Sequence, residues 1–423
     1  MNLLIRGAHI LNPDSPFHNS IKDIFIEAGV IRQIGDNLSV ENAELIDAKG
    51  CYVSVGWFDM RANFQDPGLE HKEDLESGSQ AAMAAGFTDV VLLPNAQPVV
   101  DSKNAVAYYQ KWSKYSLVDL HPMAAVSLKA EGKELTEMID LHSAGAKAFS
   151  DGVKPIWHTD IMLKSLQYLQ KFDGLLINKP EDELLTAFGH MNEGEVSTVM
   201  GLKGMPSIAE SLMIQRDLEL LEYAGGKVHF SLISSKDSVA LIREAKAKGL
   251  KVTCDVGVNY LKFIDADAQF YDTNFKVNPP YRTEQDRLAL VEGVLDGTID
   301  VIVSDHYPHD EECKKLEFDL ADFGTNNLQG FLPVLIDVFG DDFEKVVDRF
   351  TSKPREILGV TLPEIEEGAD ACLTVFSKDR TWQFNKQTNL SKSLASPLMN
   401  QELKGAVLAV TNKGQVFKTN NEA

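Results

Sequence analysis

The chain has 423 residues, 44% hydrophobic and 25% charged, a balance that excludes a disordered polar chain. Lys and Arg number 41 against 63 Asp and Glu, and the formal charge of −22 argues against nucleic acid or an anionic membrane as partner. No apolar run reaches the roughly 18 residues that a membrane span needs, and the first residues lack a signal-peptide pattern, so a cytoplasmic protein is expected.

Residues 1–52 alternate apolar and polar at strand period, with short strands expected at 3–5, 21–28 and 30–34. Turn residues such as Asn12-Pro13 and Gly35-Asp36 separate them. From 53 to 355 the pattern changes. Short apolar runs at 89–93, 146–149, 174–177, 227–233, 251–256 and 300–303 alternate with amphipathic stretches such as 207–224 and 238–248. Repeated βα units of this extent predict an α/β protein, a (β/α)8 TIM barrel, with a doubly wound sheet as the alternative. The tail, 356–423, returns to strand-like runs at 371–376 and 405–410, and Asn412-Lys413-Gly414 marks a turn before 415–417. The two ends, 1–52 plus 356–423, are expected to pair as a small composite β-sandwich domain beside a barrel of 53–355. The four cysteines, Cys51, Cys254, Cys313 and Cys372, form no CxxC and are expected as free thiols.

In such a barrel, chemistry gathers at the C-terminal ends of the strands. Those ends carry Asp59, Arg61, Asn63, Gln65 and Asp66, then Asn95, Asp151, Asn178 with Lys179, His229 with Ser231, and Asp305, His306 and His309. Each has a plain structural alternative. Asp151 before Gly152 is a turn former, Asp305 a hydrogen-bonded strand-end carboxylate, and His306 and His309 satisfied loop histidines. Asn95 and Asn278 sit beside prolines where turn hydrogen bonds are common. His229 reads as a core histidine, Lys147 as an ordinary lysine, 324–330 as a loop and Asp310-Glu311-Glu312 as a solvated run.

Taken together, these segments resemble the dihydroorotases, in the cyclic amidohydrolase branch of the amidohydrolase superfamily, over almost the whole chain. The shared frame is Gly56, Asp59, Pro67 and Gly68, then Pro94-Asn95 with Pro98, the turn at Asp151, Asn278-Pro279-Pro280 with Arg282, and Asp305-His306 with Pro308-His309. Lys72-Glu73-Asp74, Lys353-Pro354-Arg355 and Glu402-Leu403-Lys404-Gly405 are similar as well. The resemblance implies pyrimidine biosynthesis, with a cyclic amide or carbamoyl acid as the small molecule. It also implies one or two Zn²⁺ ions, which lower the pKa of bound water from about 16 to about 7 and polarise the carbonyl. The ligands it implies are a His-x-His pair, two further histidines, a bridging carboxylate or carboxylated lysine, and an aspartate that also serves as acid/base.

This sequence departs from that set. Arg61 and Asn63 stand in the paired positions, Asn178 and Leu232 in the other two, and only Asp151 and Asp305 remain. Gln65 replaces the substrate-binding arginine, and Val258-Asn259-Tyr260 replaces a Pro-His-His segment. The substrate-binding positions that the resemblance assigns are Asn95, Asn278, His309 and Gln65, with Asp305 catalytic if the protein is active. A catalytic zinc needs about three protein ligands. A guanidinium about 4 Å from a divalent ion costs on the order of 8 kcal/mol at an effective dielectric near 20. No metal is therefore expected, and Arg61 is expected to pair with Asp151 or Asp305.

Three readings follow. The first is a non-catalytic dihydroorotase homologue; the resemblance implies aspartate transcarbamoylase as a structural partner for such a protein, and a homo-oligomer is expected. The second is an active cyclic amidohydrolase with a rearranged site, Asp151, Asp305, His306 and His309 around one metal, zinc by the resemblance. The third is a metal-free protein that binds a small acid through Arg61, Gln65, Asn95 and His309.

Overall fold

The computed structural model describes residues 2–419. The N-terminal strands are β1 (Asn2–Ile10), β2 (Ile21–Glu27), β3 (Val30–Gly35), β4 (Glu44–Asp47) and β5 (Tyr52–Val55). Eight parallel strands then form the barrel: β6 (Trp57–Ala62), β7 (Phe87–Leu92), β8 (Asp119–Ala124), β9 (Ala148–Phe149), β10 (Leu176–Asn178), and, after a small parallel pair β11 (Met191–Asn192) and β12 (Gly204–Met205), β13 (Val228–Phe230), β14 (Val252–Gly257) and β15 (Val301–Val303). Each neighbour in that series is hydrogen-bonded to the next. A bridge between Ala62 and His306 brings the last strand end back to the first. This is the expected (β/α)8 TIM barrel.

The barrel strands are buried on both faces, which explains why 90–93 and 301–303 are apolar runs and not alternating patterns. Outer helices show the amphipathic pattern. Helix Lys236–Ala247 buries Val239, Ile242 and Ala245 at helical spacing and is capped by Ser235, whose side chain accepts from Ser238 N.

Strands from both chain ends share one sheet in the order β18-β17-β16-β5-β1-β2-β3, with β4 on β1, where β16 is Leu373–Phe384, β17 Gln401–Asn412 and β18 Gln415–Lys418. Here the alternation seen in 1–52 does its expected work: Leu3, Ile5, Ile24 and Ile26 meet Val53, Leu373 and Val375 in a separate apolar core. Strand β5 belongs to this sheet, pairing Val55 with Leu373, and the barrel begins two residues later at Trp57. Trp57 packs edge-on against Phe350 and Phe376, so strand β16 of the terminal sheet contributes Phe376 to the barrel's core. All four cysteines are free. No helix of the described residues is long and apolar enough to cross a membrane.

Candidate functional site

The seam between the first and last barrel strands is braced by a buried carboxylate. Asp59 on β6 accepts from Ser304 N (3.0 Å), from the Ser304 hydroxyl and from Arg61 N (3.2 Å). Burial pushes its carboxyl up to about 7, and the bonds from Ser304 work against that shift. This brace holds the end of β6 against the end of β15, and so sets Arg61 beside Asp305.

The Arg61 side chain is buried. Its Nε donates to Asp305 Oδ1 (3.1 Å) and its Nη1 to Ser231 Oγ (3.3 Å). Asp305 sits in the left-handed region at φ 50°. Burial raises the Asp305 carboxyl to about 6, and the Arg61 guanidinium opposes that rise. Of the two partners expected for Arg61, the structure brings it Asp305.

Asp151 is turned elsewhere. Its two oxygens accept from Ser127 N (2.9 Å) and Ser127 Oγ (2.6 Å), and burial raises its carboxyl. Asn63 Oδ1 accepts from Gln65 N (3.0 Å), a local turn bond. Asn178 is locked at both ends of its amide: Oδ1 accepts from Ile156 N (2.8 Å) and Nδ2 donates to Asp217 Oδ2 (2.6 Å). Leu232 is buried at φ 56° and offers no donor atom except its backbone, whose N–H goes to Asp255 Oδ1 (2.7 Å). The residues present do not fit zinc. Of the six positions, one holds a cation, one a hydrocarbon, two hold amides committed to other bonds, and the two carboxylates face different partners.

Beside the Arg61–Asp305 pair lies a cavity of about 310 Å³. Its lining includes Arg61, Gln65, Lys72, Lys179, Asn278, Asp305 and His309. Three of these are cations, and each has a carboxylate partner: Arg61 with Asp305, Lys179 with Glu181 (2.5 Å) and Lys72 with Asp322 (3.3 Å). The Gln65 amide donates to Pro308 O. Asn278 Nδ2 donates to Glu181 Oε2 (3.2 Å), while its Oδ1 is buried with no partner. His309 Nε2 bonds to Phe323 O (2.9 Å) and its Nδ1 lies 3.0 Å from Lys72 Nζ. Burial, then the Lys72 charge, hold His309 down at about 4, so it is a neutral imidazole at pH 7 that donates from Nε2 and accepts at Nδ1.

Asn95 is not brought to this cavity. Its Nδ2 donates to Asp151 O (3.0 Å) and its Oδ1 accepts from Val153 N (2.8 Å), so the amide clamps the turn after β9. His306 also lies outside it, fully buried against Glu73 (3.3 Å). His229 is buried between Thr253 Oγ1 (2.8 Å) and Asp255 Oδ2 (2.9 Å). Glu181 is the site residue that reasoning from the sequence missed; Lys179 and Lys72 were named there, one at a strand end and one in the 72–74 run, but given no role at the site. Lys179 was in view as the residue after a strand end, but nothing in its neighbourhood marks it as a cavity cation until Glu181 folds back on it.

Among the described residues, one set of metal-type donors converges, His309, Cys313 and Asp322, with atoms within 4.8 Å of one another. The Lys72 ammonium is bonded to His309 and Asp322 of that set, so an added cation would have to displace it. A larger cavity, about 730 Å³, lies outside the barrel between helices Leu75–Ala85 and Lys103–Ser113 and strand β18. It is lined mainly by apolar and aromatic side chains.

Residues 51–238 match the family model described as Dihydro-orotase-like. The chain is 37% identical to the dihydroorotase of Geobacter sp. (strain M21) over 98% of its own length and 99% of the relative's. It is 38% identical to the dihydroorotase of Acetivibrio thermocellus over 98% of each chain. Among solved structures, the L-hydantoinase (dihydropyrimidinase) of Arthrobacter aurescens superposes with a TM-score of 0.85. That match covers 100% of this chain and 97% of that one at 22% identity, a likeness of fold.

Proposed function

The chain belongs to the dihydroorotase-like family, and from that premise we propose that it is a member without hydrolytic activity, in which an ion pair has taken over the metal's place. The observation that carries this reading is the buried Arg61–Asp305 bond, 3.1 Å long, at the strand ends where the resemblance puts a metal. Hydrolysis of a cyclic amide near neutral pH needs an activated water, and no group at this mouth supplies one. Asp305 is bound to a guanidinium, His309 is neutral and bonded at both nitrogens, and Asp151 is spent on Ser127. As a dihydroorotase-like protein of pyrimidine biosynthesis, it would serve by association, with aspartate transcarbamoylase as the proposed partner.

Elemental analysis of the purified protein, with dihydroorotate ring-opening and ring-closing assays, tests the first part. The expected result is less than about 0.1 equivalent of zinc and no turnover above buffer, with or without added Zn²⁺. Stoichiometric zinc with turnover restores the alternative, an active enzyme with a rearranged site. Co-sedimentation with aspartate transcarbamoylase tests the second part.

One observation favours a second reading, a metal-free protein that binds a small acid. Three cations, each already paired with a carboxylate, line one cavity of a few hundred cubic ångströms together with Gln65, Asn278 and His309. A small carboxylate entering it would compete with those partners for the cations. A thermal-shift series with carbamoyl amino acids and cyclic ureides reads this directly, since binding stabilises by RT ln(1 + [L]/Kd). A flat response removes it.

A further inference from the structure

The loops that follow β10, β14 and β15 carry an apolar surface unlike the rest of the molecule. Twenty large hydrophobic side chains are exposed among the described residues, and ten of them fall in 184–212, 270–271 and 316–320. Leu184, Phe188, Val199 and Phe270 are each more than four-fifths exposed. Single exposed hydrophobes are ordinary on any protein, but a run of this kind is not.

The segments are tied to one another. Asp182 N donates to Ala209 O (3.0 Å), which joins the helix Glu183–Thr186 to the helix Ile208–Ala224. The Lys203 ammonium lies 5.5 Å from the Phe188 ring centre. The Tyr271 hydroxyl donates to Met200 O (2.8 Å), and the Tyr271 ring lies 6.5 Å from that of Phe318. Beneath them Met191, Met200, Ala268 and Phe318 form a small core of their own. The surface is therefore backed by packed structure.

Its charge identifies what it fits. Residues 181–212, 265–276 and 310–322 hold fifteen Asp and Glu against four Lys, a net −11, which is half the charge of the whole chain in 57 residues. A second copy presenting the same face would set −11 against −11. We propose that this face docks a different protein, one whose apolar anchors are framed by lysine and arginine. Aromatic and aliphatic anchors at the centre with opposite charges at the rim are the usual anatomy of such a contact. This surface holds whether or not aspartate transcarbamoylase is the partner, so the two readings fail separately.

The probe is an 18-residue amphipathic helical peptide of leucine and lysine, with a leucine and glutamate peptide as its control, titrated into the full-length protein. Hydrogen exchange maps the contact. Expected is saturable binding of the lysine peptide, with protection confined to 184–212 and the 265–272 and 316–320 loops. Its affinity should fall about tenfold between 50 and 200 mM salt and about tenfold in the surface variant Phe188→Ser/Phe270→Ser, which removes the anchors without changing the charge. Equal binding of the glutamate peptide overturns the proposal, as does protection elsewhere on the acidic surface. A salt-promoted dimer in sedimentation, lost in the same variant, would give the face to a second copy and overturn it as well.

Discussion

Replacing Arg61 with methionine removes the cation and leaves Asp305 alone in a buried mouth. At an effective dielectric near 20, a guanidinium about 4 Å from a carboxylate contributes on the order of 4 kcal/mol. Breaking a buried pair from one side typically costs about 3–5 kcal/mol, because the remaining charge keeps its desolvation penalty. The loss should depend on pH with a definite sign. Asp305 has a folded value raised to about 6 from an ordinary value of 3.8. Above pH 6 the folded carboxyl is ionised and the pair is present; as pH falls through 6 the carboxyl takes up a proton and the wild-type protein loses the attraction too. Arg61→Met should therefore cost about 4 kcal/mol at pH 8 and less than about half of that at pH 5. The double variant Arg61→Met/Asp305→Asn should recover about 2–3 kcal/mol of the summed single losses. Urea unfolding at both pH values measures all four corners. Equal losses at pH 5 and pH 8, or additive single losses, would refute the view that Arg61 is held there by Asp305.

Three further outcomes are expected. The double variant Arg61→His/Asn63→His should gain no stoichiometric zinc by elemental analysis, because Asn178 stays bonded to Ile156 and Asp217, and Asp151 to Ser127. Lys314 is buried with its ammonium on Asp322 O and Gly324 O (2.9 Å each), and burial lowers it to about 7. A lowered lysine binds its proton less tightly when folded, so stability should rise between pH 7 and 10; Lys314→Met should flatten that rise in pH-dependent denaturation. Glu73 is buried and, against that burial, is held below its ordinary value by His306, Ser391 and Ser77. Its contribution is present at neutral pH and is lost as pH falls below about 4.5. Glu73→Gln should thus cost about 2–4 kcal/mol at pH 7 and progressively less as pH falls below about 4.5, read by the same unfolding curves.

The barrel and the terminal sheet were legible because their signals are local. Alternating residues in 1–52 and unbroken apolar runs in the middle follow directly from burial on one face or two. The boundaries were less so. The run at 227–233 reads as one strand, yet β13 stops at Phe230, and Leu232 turns to φ 56° with its N–H on Asp255. Strand β5 lies just past the change of pattern at 52 because its partner is Leu373, more than 300 residues away. The site divides in the same manner. That Arg61 faces a carboxylate was legible from charge alone, but which carboxylate depends on the Asp59 brace. Asn95 kept a position at a strand end while its amide turned to the 151–153 backbone, an orientation no spacing reveals. Lys179 and Glu181 are two apart in sequence, yet they become a cavity pair only when the chain reverses after β10.

The pairing of β5 with β16 also governs the order in which the protein can be completed on the ribosome. Strands β1 to β5 pair with one another early, but the outer edge of β5 has no neighbour until Leu373 and the residues after it emerge. At about 5–20 residues per second, that leaves an open, apolar-backed strand edge for roughly 15–60 seconds of synthesis. A nascent chain in this state is a natural client for a chaperone that shields β edges. Truncations ending inside the barrel should accumulate as insoluble protein, even where every barrel strand is present.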